Sequence, residues 1–231
     1  MSDMKISRYL DHAVLKPELS AKEAEEAILL GIQYKVRTVC VRPWDIELAV
    51  RLCAGSETEV CTVVGFPHGT VPSEIKAAEA RLYIEKGVRE VDMVVNYGFI
   101  KSNAWDLVEK DIRAVSEVTR SAGILLKVIL ETAMLTPEEI TKATEAAIRA
   151  HADFVKTSTG FNGGGATEEA VRIMLETAAG RIKVKPSGGI RDAERARMFV
   201  EMGAHRLGVN YVSVPAICDG SAVKSGTTQG Y

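Results

Sequence analysis

The sequence predicts a single (β/α)8 barrel, and three observations lead to that prediction. Eight apolar segments of strand length alternate with longer amphipathic segments, no linker divides the 231 residues, and hydrophobic residues make up 46% of the chain. A hydrophobic share of that size suits one large core. An open, doubly wound sheet is the competing arrangement, because periodicity alone cannot show that a sheet closes. We expect the barrel to span residues 1–218, and residues 219–231, rich in Gly, Ser and Thr, to form a flexible tail.

The predicted strands share runs of β-prone apolar residues. They are Tyr9–Leu15, Val36–Val41, Val60–Phe66, Glu90–Val95, Leu125–Leu130, Ala152–Thr157, Ile182–Lys185 and His205–Val209. Between the first two, Ser20 lies three residues before Glu23, which is the spacing of a helix-capping box. Pro72-Ser73-Glu74 and Thr136-Pro137-Glu138 begin two more helices with acidic first turns. Glycines predict where helices end: Gly31, Gly87, Gly123, Gly180 and Gly203.

Composition excludes several classes of protein. The net charge is -2 and no basic stripe occurs, which argues against a nucleic-acid partner. No apolar stretch is long enough for a bilayer, and the first residues lack the pattern of a signal peptide, so we expect no membrane association and a cytoplasmic location. The cysteines lack metal-ligand spacing and are expected to be reduced: Cys40, Cys53, Cys61 and Cys218.

Two predicted strands carry a lysine near their C-terminal ends, where barrel enzymes have their active sites. Strand alternation directs Lys156 of the sixth strand inward, together with Lys183 and Lys185 of the seventh and Asp92 of the fourth. Two converging amines repel, which lowers the pKa of one and leaves it neutral enough to attack a carbonyl. Spacing alone does not choose between Lys156 and Lys185 as the nucleophile. Asp92 suits a proton relay or an ion pair with a lysine.

Other polar residues of the strands receive simpler interpretations. Lys127 is expected to be a structural, ion-paired lysine, and His12 is as well suited to a core hydrogen bond as to chemistry. The segment 187–192 indicates a glycine turn before a helix, and such a turn binds anions through backbone N–H groups. A second glycine-rich loop, Gly160–Gly165, follows the strand of Lys156.

Taken together, these segments resemble the deoxyribose-phosphate aldolase family, class I aldolases on a (β/α)8 barrel. The resemblance covers almost the whole chain, and its most specific part is Val155-Lys156-Thr157-Ser158-Thr159-Gly160, the Schiff-base signature of the family. The other matching segments are Asp11–Pro17, Val39–Val41, Val64–Pro67, Glu90–Asn96, Leu125–Val128 with Glu131-Thr132, and Val184–Arg191.

The resemblance implies a reaction and a role for each residue. The reaction is the reversible cleavage of 2-deoxyribose 5-phosphate to acetaldehyde and glyceraldehyde 3-phosphate. Lys156 would form the imine, Lys185 would lower its pKa, Asp92 would relay protons, and the terminal Tyr231 would assist enamine protonation. The expected substrate and phosphate contacts are Asp11, Cys40, Thr157, Gly160, Gly188, Gly189, Arg191, Gly208 and Asn210. The resemblance implies neither a cofactor nor a metal. It implies a homo-oligomer, either a dimer or a tetramer.

The sequence departs from the family pattern at two places. Ala13 replaces a threonine, which removes a hydroxyl near the site, and Gly208-Val209-Asn210-Tyr211 replaces Gly-x-Ser-Ser, a loop that helps to hold the phosphate. Tyr211 is expected to crowd a phosphate there. A related Schiff-base aldolase acting on a different aldehyde or sugar phosphate is therefore an alternative. A catalytically silent sugar-phosphate-binding barrel is another, although Lys156, Lys185 and Asp92 are all present.

Overall fold

The chain folds as eight parallel strands, each followed by helical structure, in a computed structural model that describes residues 5–220. The strands are β1 (Leu10–Val14), β2 (Thr38–Val41), β3 (Glu59–Val64), β4 (Glu90–Val94), β5 (Leu125–Ile129), β6 (Phe154–Lys156), β7 (Lys183–Lys185) and β8 (Leu207–Asn210). Each strand pairs with the next from β1 to β7, and β1 also pairs with β8. Backbone hydrogen bonds from His205 to Val184 (3.0 Å) and from Gly208 to Pro186 (2.8 Å) join β7 to β8. The sheet is therefore a barrel, as predicted.

The helices surround this barrel. They are α1 (Ala21–Gln33), α2 (Ile46–Cys53), α3 (Ser73–Glu85), α4 (Tyr97–Lys101), α5 (Trp105–Ser121), α6 (Pro137–Arg149), α7 (Glu168–Ala178), α8 (Ala193–Glu201) and α9 (Val214–Asp219). Short 3-10 helices span Ile6–Tyr9, Pro43–Asp45, Thr132–Met134 and Tyr211–Ser213. Both α1 and α6 begin with a complete capping box, formed by Ser20 with Glu23 and by Thr136 with Glu139.

Gly31 does not end its helix, contrary to the prediction. It lies inside α1, which continues to Gln33, and a Cβ added at Gly31 would lie 2.7 Å from a methyl group of Val39 on β2. Its lack of a side chain thus serves the packing of the helix on the barrel. The other four glycines have the positive φ that ends helices: Gly87 (99°), Gly123 (68°), Gly180 (78°) and Gly203 (108°).

Alternation along the strands separates an apolar exterior from a polar interior. Outward residues such as Met93 and Val155 pack under the helices in the main hydrophobic core. His12 also faces outward, where its Nε2 lies 2.7 Å from the carbonyl oxygen of Ala27 in α1. Lys183 has its ammonium 5.3 Å from the centre of the Phe154 ring but is exposed, because it stands at the N-terminal end of β7. The predicted inward direction of Lys183 therefore does not bring it into the buried interior.

Only the first two residues of the predicted tail, Asp219 and Gly220, lie within the described structure. Asp219 is the last residue of α9, and Gly220 follows it with a φ of 69°. Asp219 thus belongs to a helix, and residues 221–231 of the predicted tail lie outside the described residues.

Candidate active site

Asp92 lies between the two predicted site lysines. Its Oδ2 atom is 2.8 Å from the Nζ atom of Lys156 and 2.8 Å from that of Lys185. All three side chains are at most 1% exposed. Lys156 and Lys185 occupy directly opposed positions on β6 and β7, so their amines approach one carboxylate oxygen from neighbouring strands. The structure thus brings together the three residues that strand alternation predicted to converge.

A second set of buried charges lies against this trio. Lys127 is 2.6 Å from Glu90 and 2.8 Å from Oδ1 of Asp92, and Arg206 forms ion pairs with Glu90 (2.8 Å) and Asp11 (2.6 Å). Asp11 also lies 2.5 Å from Lys185. The prediction that Lys127 is ion-paired is confirmed, and Asp11 lies at the site. Glu90 and Arg206 were not predicted, although Glu90 precedes Asp92 by two residues and shares its inward face.

These contacts fix the charges of the group. Burial alone raises the pKa of Asp92, but the ammonium groups of Lys127, Lys156 and Lys185 outweigh burial and hold that pKa well below its ordinary value. Burial lowers the pKa of Lys127, yet the surrounding acids, Asp11 first, raise it well above the usual range. The Asp92 carboxylate and the Lys127 ammonium are therefore both charged at neutral pH.

Cys40 and Cys61 line the interior beside this network. Their sulfur atoms and a carboxylate oxygen of Asp92 all lie within 4.8 Å of one another, which is a possible ligand spacing. Burial raises the pKa of the Cys61 thiol well above its ordinary value, and the Asp92 oxygens are already paired with lysines. A protonated thiol beside ammonium groups is a poor cation site.

Glu131 organises the loops around the C-terminal ends of the strands, the mouth of the barrel. It is fully buried with a left-handed φ of 59°, and it accepts hydrogen bonds from the Thr159 hydroxyl (2.6 Å) and the Asn162 side chain (2.8 Å). Asn162 also donates to the carbonyl of Pro67 (3.0 Å). One carboxylate thus links the loops after β3 and β6 to the end of β5. The sequence did not predict this role.

The predicted phosphate loop follows β7. Gly188 and Gly189 both have positive φ, as does Gly160 after β6, and Arg191 is exposed beyond them. The hydroxyl of Thr157 donates to the carbonyl of Ser187 (3.0 Å) and accepts from its N–H (2.9 Å). That hydroxyl joins the ends of β6 and β7, and the substrate contact of Thr157 stays a prediction.

Tyr211 directly follows the end of β8. Its ring centre lies 6.3 Å from that of His12, which faces α1, and Tyr211 therefore packs towards that helix. The expectation that Tyr211 crowds a phosphate stays a prediction. The side chain of Asn210 accepts a hydrogen bond from the N–H of Val212 (3.2 Å) and begins the 3-10 helix there. Tyr231 lies outside the described residues.

Comparison with known proteins places this barrel among aldolases. Residues 5–215 match the family described as "DeoC/LacD family aldolase". A deoxyribose-phosphate aldolase of Clostridium perfringens is 44% identical over 97% of this chain and 99% of its own length. The aldolase QR15 superimposes with a TM-score of 0.88 at 41% identity, over 95% of this chain and 96% of that one. A deoxyribose phosphate aldolase from Aeropyrum pernix, whose structure is described as a unique tetramer, gives 0.85 at 27% identity over 93% and 90%.

The chain belongs to the DeoC/LacD family of aldolases. It is accordingly a carbon–carbon lyase on a (β/α)8 barrel. Among residues 5–220, no helix has the length and apolar character needed to cross a membrane.

Proposed function

We propose that this protein cleaves 2-deoxyribose 5-phosphate reversibly to acetaldehyde and glyceraldehyde 3-phosphate through an imine on Lys156. The observation that carries the proposal is the contact of the Lys156 and Lys185 amines with the same oxygen of Asp92, both at 2.8 Å, in a buried site. The two nitrogens are then no further apart than twice that distance. A second ammonium so close disfavours a positive charge on the nucleophile, and a neutral amine is what adds to an aldehyde.

Each step of the cleavage has a group in the site. The Lys156 amine adds to carbon 1 of the open-chain sugar, and loss of water gives an iminium ion. When the bond between carbons 2 and 3 breaks, its electron pair moves to the iminium and leaves an enamine, while the hydroxyl on carbon 3 gives up its proton and becomes the new aldehyde. Asp92 contacts both amines, so we assign it the relay of this proton through water. Protonation of the enamine at carbon 2, followed by hydrolysis, releases acetaldehyde and restores Lys156. Tyr231 remains a proposed participant in this protonation.

The phosphate end of the substrate is assigned to the glycine turn after β7. Gly188 and Gly189 precede α8, and their positive φ values turn the backbone between the strand and that helix. Arg191, Gly160, Gly208 and Asn210 stay proposed contacts, as do Asp11 and Cys40 nearer the lysines. A related Schiff-base aldolase acting on a different aldehyde or sugar phosphate stays the alternative, because Ala13 and Asn210 depart from the family pattern.

We also propose a homo-oligomer, dimer or tetramer, in the cytoplasm, without a nucleic-acid partner. The tetrameric relative supports the oligomer, as do three exposed apolar side chains of this chain, Trp44 (87%), Ile75 (51%) and Leu82 (50%). Sedimentation velocity of the full chain measures the oligomeric state, and a monomer at micromolar concentration would contradict this proposal.

The test of the reaction is borohydride trapping with 2-deoxyribose 5-phosphate, followed by peptide mass mapping. We expect a reduced two-carbon adduct on the Lys156 peptide and none on Lys76, an equally buried lysine of α3 that serves as an internal control. Lys156→Arg should abolish the adduct. A whole-sugar adduct would contradict cleavage, and an adduct on Lys185 would exchange the two roles. No adduct on folded protein would overturn the substrate assignment, as would equal cleavage of unphosphorylated deoxyribose.

A second substitution of Lys156 tests the silent-barrel alternative. Lys156→Ala should abolish turnover while the protein still binds the sugar phosphate. Absence of turnover by the wild-type protein, with binding retained, would favour the silent barrel.

A further inference from the structure

Two buried hydroxyl groups near the site lysines have no hydrogen-bond partner within residues 5–220. They belong to Ser158 and Ser187, which are both 0% exposed. Ser158 follows Lys156 by two residues, Ser187 follows Lys185 by two, and the two lysines are directly opposed in the β6–β7 ladder. Because side chains alternate along an extended chain, the repeated Lys-x-Ser pattern puts each serine one step closer to the mouth than its lysine.

The Ser187 hydroxyl occupies space that the absence of a side chain at Gly208 on β8 leaves open. A Cβ added at Gly208 would lie 2.3 Å from Oγ of Ser187 and 3.2 Å from Cε of Lys185. Both atoms therefore stand beside the same point on the inward face of β8, and the hydroxyl lies next to the Lys185 side chain. Any side chain at position 208 would occupy the space of this hydroxyl.

The neighbouring hydroxyls are already engaged. Thr157 bonds to the backbone of Ser187, and Thr159 donates to Glu131 at 2.6 Å. A buried hydroxyl without a partner costs free energy, which a ligand can recover by supplying a donor or an acceptor. Since a hydroxyl both donates and accepts, two such groups match a neutral hydroxyl of a ligand better than a charged group.

We propose that Ser158 and Ser187 bind the hydroxyl on carbon 4 of the sugar phosphate, a role that rests on the proposed function. Carbon 1 is bound to Lys156, and the oxygen on carbon 3 must face Asp92 for proton transfer. The phosphate on carbon 5 is assigned to Gly188 and Gly189, which follow Ser187 directly in the chain. Carbon 4 joins these two ends and therefore passes the level between the lysines and the glycine turn. The serine hydroxyls stand at that level.

The experiment uses the synthetic direction, in which acetaldehyde adds to a phosphorylated acceptor. Glyceraldehyde 3-phosphate carries the hydroxyl that becomes the one on carbon 4, whereas 3-oxopropyl phosphate lacks it and keeps the aldehyde and the phosphate. We expect Ser187→Ala and Ser158→Ala to lower kcat/KM for glyceraldehyde 3-phosphate roughly tenfold. For 3-oxopropyl phosphate, kcat/KM should stay within about twofold of the wild-type value.

The comparison of acceptors separates recognition of the hydroxyl from general damage. An equal loss with both acceptors in both variants overturns the proposal, as does no loss with either acceptor. If only one variant loses activity selectively with glyceraldehyde 3-phosphate, the result supports the role of that serine and contradicts the role of the other. Ser116→Ala is the matched control, because Ser116 is also buried but bonds to the carbonyl of Ala150 (2.5 Å), away from the lysines. If the wild-type protein joins acetaldehyde to neither acceptor, the proposed function itself fails, which is a different result.

Discussion

Asp92 forms more of the charged contacts between the site lysines and a carboxylate than any other acidic side chain among residues 5–220. Its two oxygens contact the side-chain nitrogens of three lysines, Lys127, Lys156 and Lys185, each at 2.8 Å. The carboxylate therefore balances charge in the interior and also accepts a hydrogen bond from the proposed nucleophile. Stability and catalysis are coupled at this residue, and an experiment on Asp92 has to separate them.

Asp92→Asn should impair both properties. We expect turnover of 2-deoxyribose 5-phosphate to fall by about 10²- to 10⁴-fold, which is the usual size of an acid–base contribution. The free energy of unfolding should fall by about 3–5 kcal/mol, because buried ammonium groups lose a counter-charge. Steady-state kinetics and urea denaturation of the same preparation measure the two effects.

Asp111→Asn provides the matched comparison. Asp111 is 1% exposed and pairs at 2.7 Å with Lys76, another fully buried lysine, but this pair lies between α3 and α5 outside the barrel interior. We expect a similar loss of stability while the folded variant keeps turnover near the wild-type level. If both variants lost turnover equally, the effect of Asp92→Asn would reflect structure rather than proton transfer.

The comparison of these two aspartates shows which buried charges can be predicted from sequence. The inward direction of Asp92 can be predicted from strand alternation, because successive side chains of a strand point to opposite faces of the sheet. Lys76 and Asp111 are 35 residues apart on two helices, and only the packing of α3 on α5 brings them together. The role of Glu131 could not be predicted from the sequence either, because its contacts depend on a left-handed turn after β5.

At the scale of elements, α1 shows how a local rule yields to packing. Glycine often follows the last residue of a helix, so Gly31 predicted a helix end. The helix instead continues through Gly31, because it lies too close to β1 and β2 to accommodate a side chain there. Strand positions were easier to predict than their ends: β6 spans only Phe154–Lys156 within the predicted Ala152–Thr157. Ends depend on hydrogen bonds to neighbouring strands, which composition does not encode.

Gly31→Ala should destabilise the protein although alanine is the better helix former. Intrinsic propensity favours the change by about 1 kcal/mol. The new Cβ would lie 2.7 Å from Val39 and 3.1 Å from the His12 ring, and such overpacking costs about 1–3 kcal/mol. Urea denaturation should therefore show a net loss of about 1 kcal/mol. Gly98→Ala in α4 is the control, because its Cβ would meet only the Asn96 side-chain oxygen, and a stabilised Gly31→Ala would contradict the packing argument.

At the scale of the whole molecule, buried charges connect strands that are far apart in the chain. Three carboxylates and four basic side chains of the interior come from β1 and from the barrel wall between β4 and the start of β8: Asp11, Glu90, Asp92, Lys127, Lys156, Lys185 and Arg206. The folded barrel depends on these carboxylates being ionised, because a buried ion pair that loses the charge of one partner is strongly destabilising. The closed barrel is thus coupled to pH through its interior.

Two pH windows should be visible in the free energy of unfolding. Burial lowers the pKa of His12 from 6.5 to about 4, so as pH falls through 6.5 the unfolded chain binds a proton that the folded protein does not. Stability is then lost between pH 6.5 and about 4, by about 3 kcal/mol at roughly 1.4 kcal/mol per pH unit. Below that window the depressed pKa values of Asp11, Glu90 and Asp92 take over, because their contribution is complete above the unfolded values and is lost as pH falls.

His12→Gln separates the two windows. Glutamine can still donate to the carbonyl of Ala27 but does not titrate, so the slope between pH 6.5 and 4 should largely disappear. A smaller slope should remain from His205, whose pKa burial and Lys183 also lower. The steep loss below pH 4 should persist, because it belongs to the carboxylates. Urea denaturation at pH intervals measures both slopes, and an unchanged upper slope in the variant would show that His12 is not its cause.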